Sequence, residues 1–341
     1  GPGAGLTDPV VTDPVKMSLR ATMNARRTLH AGFTTVRNLG LFVKTGGYLL
    51  DVALSEAVEA GWIEGPRIVP AGHAICATGG HLDPSAQSGL APHMMPLSVE
   101  EGIADGVDQV RKAVRYQVKH GAKLIKCCAS GGVIASMGPP GAQQLSDDEL
   151  AAIADEAHRR GLRGAAPRHG GAAGNAGLDA GIDCIEHGFM ITEPTIERMV
   201  ATGTFLVSTN ALAENWDVSR HPPAMQAKAA EVFPKARESL SKAIEAGVKI
   251  ASGSDGPAIW HGRNAEELEV LVKRGMTPLQ AIRAATVVSA ELIEAPDLGR
   301  LAPTMLADIV GVPGDPLDDI SVCRDVAFVM QGGRIAKRPV A

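Results

Sequence analysis

Aromatic side chains are scarce: Phe, Trp and Tyr make up 3% of the 341 residues. With 45% hydrophobic residues the chain still has ample core-forming material, so Ala, Val, Ile and Leu must fill it. Small aliphatic cores suit layers of helix on sheet. Blocks of Lys or Arg are also missing and the net charge is −5, which argues against nucleic-acid and anionic-membrane partners. No apolar run approaches a membrane span, and no signal peptide is expected at the start. The five cysteines (Cys76, Cys127, Cys128, Cys184, Cys323) are odd in number and lack metal-knuckle spacing. Free buried thiols in a reducing cytoplasm are the expectation. A glycine fingerprint after a first strand is absent too, which excludes a Rossmann reading.

What is present is a recurring pattern of helix, glycine and apolar run. Helical stretches stop at Gly121, Gly181 and Gly247, and short apolar runs follow. Buried parallel strands read as such runs, and helices often stop at glycine. Further repeats follow Gly32, Gly161 and Gly203. Strands are expected near Leu6, Thr35, Ile68, Leu124, Leu162, Ile185, Leu206 and Ile250. Helices are expected over residues 14–30, 52–61, 146–160 and 193–202, with Ser146 and Glu149 as a capping pair. Eight strands alternating with helices indicate an α/β chain forming a (β/α)8 TIM barrel over residues 4–298. Residues 299–341 read as a small C-terminal β-rich appendage, with strand-like Ala307–Val312 and Ala327–Met330 and a turn at Gly332-Gly333.

Lys126, His187 and Asp255 each stand just past an apolar run. On a barrel they would meet at the rim that carries the chemistry of (β/α)8 enzymes. Residues 71–95 and 129–144, rich in Gly and Pro, would be rim loops over that site. His81, His169, Cys127 and Trp260 are candidates for touching substrate, with His73 and His261 as weaker ones. The structural alternatives are a capping Asp255, a loop-shaping His81, a core pair of His187 with Glu186 and a buried filler role for Cys127.

Several stretches resemble the amidohydrolase superfamily, in particular its imidazolonepropionase-like, Xaa-Pro dipeptidase and Arg/Lys carboxypeptidase branch. They are Ala31–Asn38, Thr78–His81, Ile125–Gly132, Ile185–Gly188, Gly253–Asp255 and the tail around Leu301–Val310. The resemblance implies hydrolysis of amide or peptide C–N bonds in small substrates. It implies two divalent metals such as Zn, bridged by a carboxylated lysine, and a habit of homo-oligomers. By position Lys126 would be the bridging lysine, His187 a metal ligand, and Asp255 both ligand and general base. A C-terminal remnant of the family's β-sandwich is implied as well.

The chain departs from that pattern at three expected ligands. Val10 and Thr12 stand where the first strand of the family ends in two histidines, and Pro167 stands where the fifth strand carries another. None of these side chains is a useful metal ligand. A weak site from Lys126, His187 and Asp255, or none, is expected. The opening Gly1-Pro2 resembles the scar of a tag-removing protease, and with the lost histidines it suggests an engineered variant. Two further readings follow. In one, Lys126 is an amine nucleophile forming a Schiff base in an apolar pocket, giving a retro-aldolase-like lyase. In the other, the chain is an inactive scaffold that binds a small molecule.

Overall fold

The computed structural model describes residues 8–41, 43, 45–88, 91, 94–133, 138–170 and 173–339; of residues 8, 9, 87, 88, 173, 174 and 220 the backbone alone is described. The first elements are α1 (Asp8–Val11), α2 (Pro14–His30), β1 (Thr35–Arg37), α3 (Leu50–Glu59), β2 (Arg67–Val69) and α4 (Pro84–Ser88). Next come α5 (Val107–Lys119), β3 (Ile125–Lys126), α6 (Asp147–His158), β4 (Gly164–Arg168), α7 (Ala173–Asp179) and β5 (Cys184–His187). Then follow α8 (Glu193–Thr202), β6 (Phe205–Val207), α9 (Ala211–Asn215), α10 (Pro223–Glu245) and β7 (Ile250–Ala251). After α11 (Glu266–Lys273), α12 (Pro278–Ala285) and α13 (Val287–Leu292), the chain ends in β8 (Ile309–Gly311), β9 (Phe328–Gln331) and β10 (Arg334–Lys337).

Strands β1 and β2 pair in parallel, as do β3 to β7 in sequential order. Residues just past β2 join the two groups: Ile75 N–H donates to the Lys126 carbonyl, and Cys128 N–H donates to that of Ile75. Seven staves of the (β/α)8 barrel are thus in place. The expected strand at Leu6 lies outside the described residues. Val10 and Thr12 are not at a strand end: Val10 sits in α1 and Thr12 just beyond it.

Alternation along the strands sorts the core into two layers. Leu124, Ala165, Cys184, Phe205, Val207 and Ala251 fill the inside of the barrel. Ile125, Cys127, Ala166 and Ile153 pack between sheet and helices. Inside the barrel, Arg37 donates to Glu186 Oε1 at 2.8 Å, and the Cys184 thiol donates to the same oxygen at 2.9 Å. Burial works to lower the Arg37 pKa, but Glu186 and Cys184 outweigh it and the net shift is upward.

The three-stranded antiparallel sheet β10-β9-β8 docks at the opposite end from the strand C-termini. Asp308 accepts from Arg67, the first residue of β2, and Gln331 donates to the Thr34 carbonyl next to β1. Gly32 passes so close to Val310 and Val326 that a Cβ there would meet methyl groups at 3.0 and 3.1 Å. The appendage therefore braces the barrel floor and leaves the rim clear.

Candidate active site

Backbone strain marks the rim. Among the described residues, five that are not glycine have positive φ, and three of these stand at the C-terminal ends of strands: His187 (+68°) as the last residue of β5, and Thr209 (+45°) and Asp255 (+51°) shortly past β6 and β7. Such conformations are costly for residues with a Cβ and gather where function demands them. At His187 the consequence is visible. Glu186 points into the barrel, so strict alternation would send His187 out toward the helices. The positive φ swings its imidazole back over the mouth. There it stacks on His169 at 5.1 Å between centroids, with planes 10° apart, and its Nδ1 lies 2.7 Å from Thr209 Oγ1. Phe189 packs against both rings.

The expected residues Lys126, His187 and Asp255 do converge, and His81 and His169 join them. Lys126 follows the inward-facing Leu124 by two residues and is buried. His81 rides on the rim loop after β2. Its N–H donates to Gln144 Oε1 at 2.8 Å, which ties the two rim loops together. Its imidazole lies directly over Gly132, where no Cβ would fit.

The five groups feel one another's charge. Burial pushes His81 down to about 4, Lys126 pushes the same way, and Asp255 pulls back. Burial, then His187, His81 and Lys126, hold His169 well below the ordinary histidine value. Burial, then Lys126 and His81, do the same for His187. The three imidazoles are therefore neutral at pH 7. Asp255 is open to water on the mouth side yet hemmed in by protein. Burial raises its carboxyl above the usual range, with Lys126 and His81 pulling it down.

Other expected positions fall elsewhere. Cys127 is a correction: it follows the inward Lys126, so it points outward among Ile125, Leu150 and Ile153, and burial raises its thiol to about 12. It is a core filler that does not face the mouth. The alternative of a core pair between His187 and Glu186 is not formed, since Glu186 bonds Arg37. The apolar pocket that the Schiff-base alternative needs is not found around Lys126, whose charge acts on three imidazoles and a carboxylate. Trp260 is half exposed on the segment after Asp255. His73 is buried with Nε2 3.0 Å from Thr45 Oγ1, and His261 Nδ1 lies 3.3 Å from Thr28 Oγ1.

Three neighbours of the site were not singled out by their sequence. Thr209 contacts His187, and Glu267 of α11 holds the segment containing Thr209. Lys228 of α10 donates to the Gly138 carbonyl at 2.7 Å and adds to the positive field on His81. The first had a signal: Ser208-Thr209-Asn210 is a polar triplet directly after the apolar β6 run.

Residues 13–336 match the amidohydrolase family. The chain belongs to that family. It is 35% identical to an ochratoxinase of Aspergillus niger over 352 aligned positions, covering 98% of this chain and 71% of the relative. A solved Xaa-Pro dipeptidase with methionine bound in its active site has a TM-score of 0.88 at 34% identity, covering 95% of this chain and 80% of that one. A prolidase complexed with N-methylphosphonate-L-proline gives 0.86 at 35% identity, with 98% and 83% covered.

Amidohydrolases generally use divalent metals, so the residues present must be tested for that fit. An imidazole binds a metal through a lone pair lying in the plane of its ring. One ion must then lie in the planes of all its histidine ligands. Stacked, nearly parallel rings such as His169 and His187 have no common in-plane point. Among the described residues, no group of three His, Cys, Asp or Glu side chains is placed to hold an ion. With Pro167 in β4, the donors as arranged do not fit the metal pair of the family.

Proposed function

We propose that this amidohydrolase cleaves amide or peptide-type C–N bonds in small molecules at the rim formed by Lys126, His81, His169, His187 and Asp255. Family membership supports the reaction class, and the prolidase and ochratoxinase relatives support small amide substrates. The observation that carries the site is the convergence of these five ionisable groups, with strained backbone at His187 and Asp255.

The roles follow from charge. Asp255, ionised above its raised pKa, accepts a proton from water as the water oxygen bonds to the carbonyl carbon. Lys126 and an imidazole N–H stabilise the developing oxyanion. The C–N bond then breaks, and the proton held by Asp255 passes to the leaving nitrogen. Trp260 and His81 would border the substrate. Activity should rise with pH as Asp255 ionises. The test is hydrolysis of glycyl-L-proline and N-benzoylglycine by the wild-type chain and by Lys126→Met. Loss of at least about 100-fold in Lys126→Met is expected from a missing oxyanion partner, and an unchanged rate would remove this reading.

A further inference from the structure

We propose that Glu267 is a positioning residue for His187, acting through the turn that carries Thr209. Glu267 comes from α11, on the outer layer of the barrel, and is fully buried. Its Oε1 accepts from Ser208 Oγ at 2.5 Å and from Asn210 N–H at 2.9 Å, and its Oε2 accepts from Ala211 N–H at 2.6 Å. These three donors bracket Thr209 on both sides. Thr209, at φ +45°, is a β-branched residue in a conformation that favours glycine. Only firm anchoring on either side keeps such a residue in place.

What the clamp holds is the contact between Thr209 Oγ1 and His187 Nδ1. With Nδ1 occupied, Nε2 is the ring nitrogen left to face the mouth. A contact from a clamped hydroxyl fixes the ring angle, and the tautomer follows from whether that hydroxyl points toward Nδ1 or away from it. Among the described residues Glu267 has no ion pair, and the three bonds of its carboxylate all go to this turn. Burial raises its pKa to about 7 while the three donors pull it down. A glutamine there would offer one oxygen and one NH2 group to three donors, and part of the clamp would be lost.

The inference rests on the amide-hydrolase reading, and its test separates the two. The ring nitrogens of His187 are assigned by two-bond ¹⁵N–¹H correlation in the wild type, Glu267→Gln, Thr209→Val and Thr209→Ser. The same variants are assayed on N-benzoylglycine. Wild type and Thr209→Ser should show one dominant His187 tautomer. Glu267→Gln and Thr209→Val should show a mixture, with kcat lower by about 10–100-fold and KM nearly unchanged. A wild-type tautomer ratio in a folded Glu267→Gln would overturn the proposal. If that variant does not fold, Ser208→Ala, which removes one of the three bonds, decides in the same way. Absence of wild-type turnover would count against the hydrolase reading, while the tautomer ratios would still decide the clamp.

Discussion

Two glutamates on the outer helices of this barrel are almost wholly covered, and they behave in opposite ways. Glu156 of α6 meets Arg115, Arg160 and Arg111, and Arg115 foremost, then Arg160, hold its carboxyl down at about 2 against the upward push of burial. Among the described residues Glu267 of α11 meets no cation but a hydroxyl and two backbone N–H groups, and burial pushes its carboxyl up to about 7. The cover differs as well. Glu156 is shielded by arginine arms that are themselves 58% and 39% exposed, so water is near. Glu267 is shielded by packed backbone. A charge beside water with cations at hand ties two helices together. A charge in the dry layer between helix and loop is costly unless neighbouring dipoles are fixed around it, and fixing them shapes the site.

The sharpest way to break this contrast is truncation. Glu267→Leu should cost about 3–5 kcal/mol, because three buried donors lose their acceptor. Glu156→Leu should cost about 1 kcal/mol, because its arginines turn to water. Urea titration of both variants checks this, and equal losses would erase the distinction.

Acidity sharpens it next. The folded-state pKa of Glu156 is depressed, so its contribution is present above pH 4.5 and is lost as pH falls toward about 2. That of Glu267 is raised, so its contribution is fullest below pH 4.5 and shrinks as pH rises to about 7. The stability difference between wild type and Glu267→Gln should therefore change with pH between 4.5 and 7, and that for Glu156→Gln should change only below 4.5. The buried histidines add a third slope. His73 and His81, both near 4, stabilise the fold above pH 6.5 and progressively destabilise it as pH falls to 4. Melting of His73→Gln across that window isolates the share of His73.

The smallest expected effect is that of added Zn²⁺. A site occupied at 100 times its Kd would add about 2.7 kcal/mol of stability. The stacking of His169 on His187 predicts no shift in Tm with Zn²⁺ and no change in activity after dialysis against a chelator. A shift of several degrees would show that the rim holds an ion after all.

Much of this was legible in the residues. The glycine-then-apolar rhythm located β1, β2 and β5 to β7 closely, and α2 and α8 ran over the expected residues. Lys126, His187 and Asp255 were readable because polar residues at the ends of buried runs break a composition rule. Cys127 falls away from the site because the period of two assigns it the face opposite Lys126. Thr209 and Glu267 were hidden for a different reason. Positive φ on a threonine has no sequence signature, and the partner of Glu267 lies more than 50 residues away in the chain. Long-range satisfaction of a buried charge is a property of packing, which no local pattern encodes.

The decisive comparison is kcat/KM for glycyl-L-proline and N-benzoylglycine in the wild type and in Asp255→Asn, each shown to be folded. Asp255→Asn keeps the shape of the side chain and removes the base, so a loss of about 100-fold or more is expected from general-base chemistry at the rim. Wild-type turnover with undiminished activity in Asp255→Asn would contradict that placement of the chemistry.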